Sequence, residues 1–286
     1  MKLISCQNGR ILTSLKSEQT FAASDKIIPT GLGALDEVAP EGGFEQGAIH
    51  EILSSPQHGA ARTFALTLSR LCHFSGTASG PLSLRERAGV REFSDLECLS
   101  HRTPPHPNPL PEGEGTNAGA LVWCDDTSDL YPPAIALSGI PLNRLYLLRP
   151  EKRDDLIWAI TECLRCKGVA VTIAQINHLS RIEARRLQLA AERGGGMGLL
   201  LRPMIQTRGA RGELQAPPVY AAATRWLVEP TQGERTVQRW NVQLIHGHGG
   251  RVGKTVILEH NRETNLVRAV EKLADRPMET LVRTVG

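Results

Sequence analysis

Ile49-His-Glu-Ile-Leu-Ser-Ser-Pro-Gln-His-Gly-Ala-Ala-Arg62 is the stretch on which the reading of the fold turns. It follows a Gly-rich turn, Glu41-Gly-Gly-Phe-Glu-Gln-Gly47. Residues 49–53 read as a short buried strand and residues 60–72 as a helix. A strand, a tight loop and a helix form the setting of a phosphate-binding loop. Such a loop reads G-x-x-x-x-G-K-[ST]. Here the six loop positions run from Ser54 to Gly59, and the Lys and Ser/Thr positions fall on Ala60 and Ala61. Of the two glycines only Gly59 is present.

The missing side chains carry the chemistry. Backbone N–H groups and a helix N-terminus hold the phosphates, a Lys meets the terminal ones, and a hydroxyl holds Mg²⁺. Ala60 brings no charge and Ala61 no hydroxyl. Pro56 has no N–H to donate. Ser54 places a Cβ where the motif has its first, conformationally free glycine. Arg62 and His58 are cationic candidates, but each is offset from the Lys position. Nucleotide hydrolysis and a bound cofactor are therefore not expected. A plain strand–turn–helix is the simpler reading, and it has the same consequence.

Composition narrows the rest. The 286 residues suit one α/β domain with elaborations or two small domains. With 41% hydrophobic but only 4% aromatic residues, the core has to be mostly aliphatic. A net charge of +3 permits nucleic-acid contact without demanding it. No secretory signal and no apolar run of membrane-spanning length is read, so a cytoplasmic protein without membrane contact is expected. Disulfides are then not expected among Cys6, Cys72, Cys98, Cys124, Cys163 and Cys166. Cys163-Leu-Arg-Cys166 is one CxxC pair with no second pair at suitable spacing, so core or helix-surface cysteines are expected in place of a metal site.

Residues 76–119 break the pattern, being rich in Pro, Gly, Ser and Arg without a hydrophobic period. Residues 80–91 and 105–116 are related through the genetic code. Read backwards in reverse-complement codons, Thr116 pairs with Gly80, Glu114 with Leu82, and so on to Pro105 with Arg91. Only Asn108 against Ala88 fails, by one base. This is the expected trace of a translated DNA inverted repeat, and it reads as an inserted surface loop without function of its own.

Outside the insertion the chain alternates strand and helix. Residues 120–124, 144–148, 169–173 and 198–201 read as strands. Residues 131–138 and 154–167 read as helices. Ser180-Arg-Ile-Glu183 is a capping box opening a helix to Glu192. This alternation implies a largely parallel sheet covered on both faces. Residues 222–228, 237–245 and 255–259 read instead as strands joined by hairpin-like turns. Residues 202–218 read as a polar loop, and residues 267–275 as a weak helix. Gly253-Lys254-Thr255 imitates a phosphate loop, but it leads into a strand and lacks the first glycine, so it reads as a surface hairpin.

The order of these features resembles RecA. Thr30-Gly-Leu-Gly-Ala-Leu-Asp36, Gly42-Gly-Phe44 and Gly47-Ala-Ile-His-Glu-Ile52 look like the lead-in to its nucleotide loop. Within that superfamily the chain resembles ImuA-type proteins, through Trp123-Cys124, Arg185-Arg-Leu-Gln-Leu-Ala-Ala-Glu192, Leu199-Leu-Leu-Arg202 and Ala221-Ala-Ala-Thr-Arg-Trp226. The resemblance implies a RecA-like α/β core, residues 26–75 and 120–260, with an N-terminal segment 1–25 and a tail 261–286. It implies a non-catalytic adaptor in bacterial mutagenic translesion synthesis within the SOS response. The partners implied are an ImuB-like inactive Y-family polymerase relative and an error-prone DNA polymerase, with RecA or DNA as further candidates. Carried over by position, the nucleotide-loop Lys and Thr fall on Ala60 and Ala61. The water-activating Glu falls near Thr127, beside Asp125 and Asp126. The strand-end Asp falls within residues 172–174, which hold no acid. A counterpart of the DNA-binding loop would be residues 202–218, with Arg202, Arg208 and Arg211 as candidate DNA contacts. The other readings kept open are a DNA-dependent RecA/RadA-type ATPase and a SulA-type division inhibitor.

Overall fold

The computed structural model describes residues 2–4, 26–55, 59–74, 119–124, 130–206, 214–234, 236–270 and 274–275. Residues 76–118 of the expected inserted segment, and Asp125, Asp126 and Thr127, lie outside them. Strand β4 (Ile49–Ser54) has all six residues buried. It can be buried throughout because β8 (Met197–Pro203) and β11 (Thr224–Thr231) pair with its two edges, both in parallel.

The eleven-stranded sheet is laid out in the order β1 (Lys2–Ile4), β6 (Leu145–Leu148), β5 (Ala120–Cys124), β7 (Val169–Gln175), β8, β4, β11, β12 (Val237–Gly247), β13 (Lys254–Asn261) and β14 (Val267–Ala269). From β1 to β11 every neighbouring pair is parallel. From β11 onward the pairs are antiparallel. β15 (Ala274–Asp275) also pairs with β13. The fold is thus a mostly parallel sheet flanked by helices, with antiparallel strands at its C-terminal end.

Side-chain alternation sorts the core to two faces. Leu199 and Leu201 of β8 join one apolar cluster and Leu200 the other. On the first face lie α1 (Gly33–Val38), α2 (Ala60–Ser69) and α3 (Pro132–Leu137), in one apolar cluster with Trp226 and Trp240. On the second lie α4 (Arg153–Arg165) and α5 (Arg181–Gly194). Ser180 caps α5 as a full capping box with Glu183. Arg153 donates to both Glu183 carboxylate oxygens, at 2.7 and 2.9 Å, so the starts of the two helices are tied together. That hydrogen bonding lowers the Glu183 carboxyl to about 2. The C-terminus of α5 lies against α4, and a Cβ on Gly194 would sit 1.9 Å from the Leu164 carbonyl oxygen.

The Gly-rich lead-in is built by one acid and one close approach. The Asp36 carboxylate accepts from Thr30 N–H, Thr30 Oγ1 and Gly31 N–H at 2.7–3.0 Å. Strands β2 (Ile27–Ile28) and β3 (Phe44–Glu45) then pair across the turn. Gly43 passes so near the backbone of Ile28 that a Cβ would meet its carbonyl oxygen at 2.4 Å.

Three expectations change. Residues 267–269 form strand β14, pairing with residues 258–260, in place of the helix read over residues 267–275. The pairing edge of β13 outweighs the weak helical period, and burial along residues 266–270 alternates as in a strand. The sheet also runs past residue 260, where the tail was placed. Lastly, the loop read over residues 202–218 starts later than expected. Its first two residues belong to β8, and β9 (Ile205–Gln206) pairs with β10 (Leu214–Gln215) as a hairpin whose residues 207–213 lie outside the described part.

Candidate functional site

The loop after β4 opens at the C-terminal edge of the parallel strands, the edge where open α/β sheets bind ligands. Ser54 ends the strand, and its carbonyl accepts from Met204 N–H at 3.0 Å. Residues 56–58 lie outside the described part. Gly59 precedes α2 as its N-cap residue and provides no side-chain cap. Ala60 and Ala61 are 2% and 5% exposed, and both belong to the apolar cluster under the sheet. The two positions at which a phosphate loop would present an ammonium and a hydroxyl thus hold methyl groups packed into the core.

The next residue points across the site. Arg62 Nη2 donates to Gln175 Oε1 at 2.9 Å. Gln175 ends β7, one residue after the span where a RecA-like acid is expected; Thr172, Ile173 and Ala174 are buried there. Residues 248–253 form the turn into β13, with Gly249 and Gly253 at φ +79° and +88°. Gly253 N–H donates to Leu244 O at 2.7 Å, so the Gly-Lys-Thr imitation lies at a strand–turn–strand junction.

Arg202, expected as a candidate DNA contact, is a correction. It is 3% exposed and lies inside β8. Its Nη1 donates to Glu51 Oε1 at 2.9 Å and to Pro218 O at 3.1 Å. Arg225 meets the other Glu51 oxygen, from Nε at 2.8 Å and from Nη2. Arg225 also donates to the carbonyls of Pro217 and Pro218. Burial pulls the Arg225 guanidinium down from its usual value, with Glu51 acting against that. The register explains the meeting: Arg225 lies beside Glu51 across β11 and β4, and Arg202 lies beside Leu53, one step along the same face. This ionic cluster was not read from the sequence. Its signal was a charged residue within, or at the end of, each of three apolar runs. Arg208 and Arg211 lie outside the described residues.

On the other face His50 is wholly enclosed. Its Nε2 lies 2.9 Å from the Glu45 carbonyl and its Nδ1 2.7 Å from Thr224 Oγ1, which also accepts from Trp226 Nε1 at 2.8 Å. A carbonyl can only accept, so Nε2 carries a proton, and in the neutral ring Nδ1 then accepts from the Thr224 hydroxyl. Burial lowers its pKa to about 4, against the hydrogen bond to Glu45. Cys124 and Cys163 are buried free thiols, and no cluster of three metal-binding side chains occurs among the described residues.

No family model matches the chain. ImuA of Caulobacter vibrioides (strain NA1000 / CB15N) is 29% identical over 166 residues, spanning 55% of this chain and 68% of that protein. This chain is a homologue of ImuA. The cell division inhibitor SulA of Edwardsiella piscicida is 30% identical over 91 residues, 32% of this chain and 52% of SulA. The crystal structure of the RadB recombinase superposes with a TM-score of 0.55 at 13% identity, covering 86% of this chain and all of that one. That likeness shows the fold. ImuA homology and the RecA-like fold together mark a RecA-like protein of the DNA-damage response. No helix among the described residues is long and apolar enough to cross a membrane.

Proposed function

We propose that this ImuA homologue is a non-catalytic RecA-like adaptor of a bacterial mutagenic translesion-synthesis complex. In this reading it binds an ImuB-like inactive Y-family polymerase relative and works with an error-prone DNA polymerase in the cytoplasm. The observation that carries the proposal is the burial of Ala60 and Ala61 beside the Arg62–Gln175 hydrogen bond. Phosphoryl transfer depends almost wholly on positioning and on charge stabilisation. A loop with methyl groups at both decisive positions supplies neither, and among the described residues beside it Arg62 is engaged by an amide. The scaffold is then kept for the surfaces it presents.

Arg208 and Arg211, in the sequence between β9 and β10, are retained as proposed DNA contacts; the buried Arg202 and Arg225 hold the carbonyls of Pro217 and Pro218, which follow β10. The SulA match supports a second reading, inhibition of cell division through contact with the division machinery. Co-expression with an ImuB-like protein tests the first reading. A stoichiometric complex surviving gel filtration is expected. Failure to co-purify, together with arrested division on expression of this chain alone, would favour the second.

A further inference from the structure

Several surface arginines have an acid at hand. Arg153 pairs with Glu183, Arg165 with Glu162, and Arg251 with Glu37. Arg239 and Arg268 share Glu259. The outer face of α5 differs. Arg181, Arg185, Arg186 and Arg193 are all exposed, and none has an ion pair among the described residues. The acids of this helix offset them little: Glu183 is occupied by Arg153, which leaves Glu192 as the exposed one.

Apolar side chains interrupt this basic face. Ile182 is 83% exposed, and Leu189 follows seven residues on, along the same side and about 10 Å away at 1.5 Å per residue. Arg185 and Arg186 stand between them. Beside the helix, Val219 and Tyr220 are also exposed, with the Arg181 guanidinium 6.0 Å from the Tyr220 ring centroid. Arg181, Arg185, Gln188, Val219 and Tyr220 line an open hollow of about 360 Å³.

We propose that this face of α5, with Val219 and Tyr220, is a docking surface for an acidic polypeptide segment carrying two apolar side chains about two helical turns apart. The occupant follows from chemistry. Four cations without acids call for carboxylates, and Arg with Tyr around an apolar centre is the composition of protein-interface hot spots. A phosphate backbone would meet the charges but leave Ile182, Leu189 and Val219 facing a charged, hydrated strand. The inference deepens the adaptor reading and rests on it, since it names the chemistry of the partner segment.

The probes are fluorescent 14-residue peptides with two Leu residues spaced seven apart, flanked either by Glu or by Gln, together with a 20-nucleotide single-stranded DNA. Fluorescence anisotropy with the full chain is expected to show saturable binding of the Glu peptide, at least about tenfold tighter than the Gln peptide. Arg185→Glu with Arg186→Glu, and separately Ile182→Ser, should each weaken it about tenfold or more. All three residues are exposed, so thermal melting of the variants should match the parent and exclude unfolding as the cause. Equal binding by parent and variants, no binding of the Glu peptide, or DNA binding lost in the same variants would each overturn the assignment. Peptide binding that persists where an ImuB-like protein fails to co-purify would sink the partner's identity and leave the surface standing.

Discussion

Replacing Glu51 by Gln removes one charge and almost no volume from a site where all three ionic side chains are 2–3% exposed. Glu51 is the carboxylate that Arg202 and Arg225 both bind, so the variant leaves two guanidinium groups in the interior against amide and carbonyl dipoles alone. Breaking a buried ion pair at one partner costs about 3–5 kcal/mol. Against a total stability of about 5–15 kcal/mol, that is a large fraction. At about 2–4 °C per kcal/mol it corresponds to a fall in melting temperature of roughly 6–20 °C. The sharper arm is a triple replacement, Glu51→Leu with Arg202→Met and Arg225→Met. It removes the charges together and should recover most of the loss, because apolar residues of similar volume often match a buried ionic cluster. Urea unfolding followed by circular dichroism supplies both numbers. A loss below about 1 kcal/mol for Glu51→Gln would refute the reasoning, since it would mean water reaches the cluster.

His50 and His73 are both lowered by burial to about 4, so each takes up a proton when the chain unfolds in mild acid. The stability this gives is full above pH 6.5 and drains as pH falls towards 4, which for His50 alone is worth about 3 kcal/mol. His50→Gln should reduce proton uptake on unfolding at pH 5.3 by about one, and unchanged uptake would count against the neutral, enclosed ring. Gly194→Ala should destabilise by at least about 1–3 kcal/mol, because its Cβ has nowhere to go but the Leu164 carbonyl; an unchanged denaturation midpoint would contradict that packing. Ser180→Ala should cost about 1 kcal/mol through loss of the cap on α5, and a neutral result would mean the helix start is held by Arg153–Glu183 alone.

Local patterns that tertiary structure does not oppose were legible in the sequence. The apolar run at Ile49, the capping box at Ser180 and the alternation of strands with helices each state their own conformation, and the parallel sheet follows from them. Arg202 was not legible as an interior residue, because a charge beside Pro203 reads locally as the start of a loop. Its burial depends on Glu51, which lies 151 positions away in sequence. Val267 to Ala269 illustrates the same limit. Three residues carry too little periodicity to separate strand from helix, and the free edge of β13 decides. At the candidate site, the absence of Lys at Ala60 was plain, whereas the Arg62–Gln175 bond needed the first turn of α2 brought to the end of β7, two strands away from β4 in the sheet.

Isothermal titration of the full chain with ATP and Mg²⁺ tests the central claim, that a RecA-like scaffold persists here without nucleotide chemistry. With the loop as built around Ala60, Ala61 and Arg62, no saturable heat is predicted at ligand concentrations up to about 1 mM. Saturable binding in the micromolar range, or release of phosphate, would contradict the account.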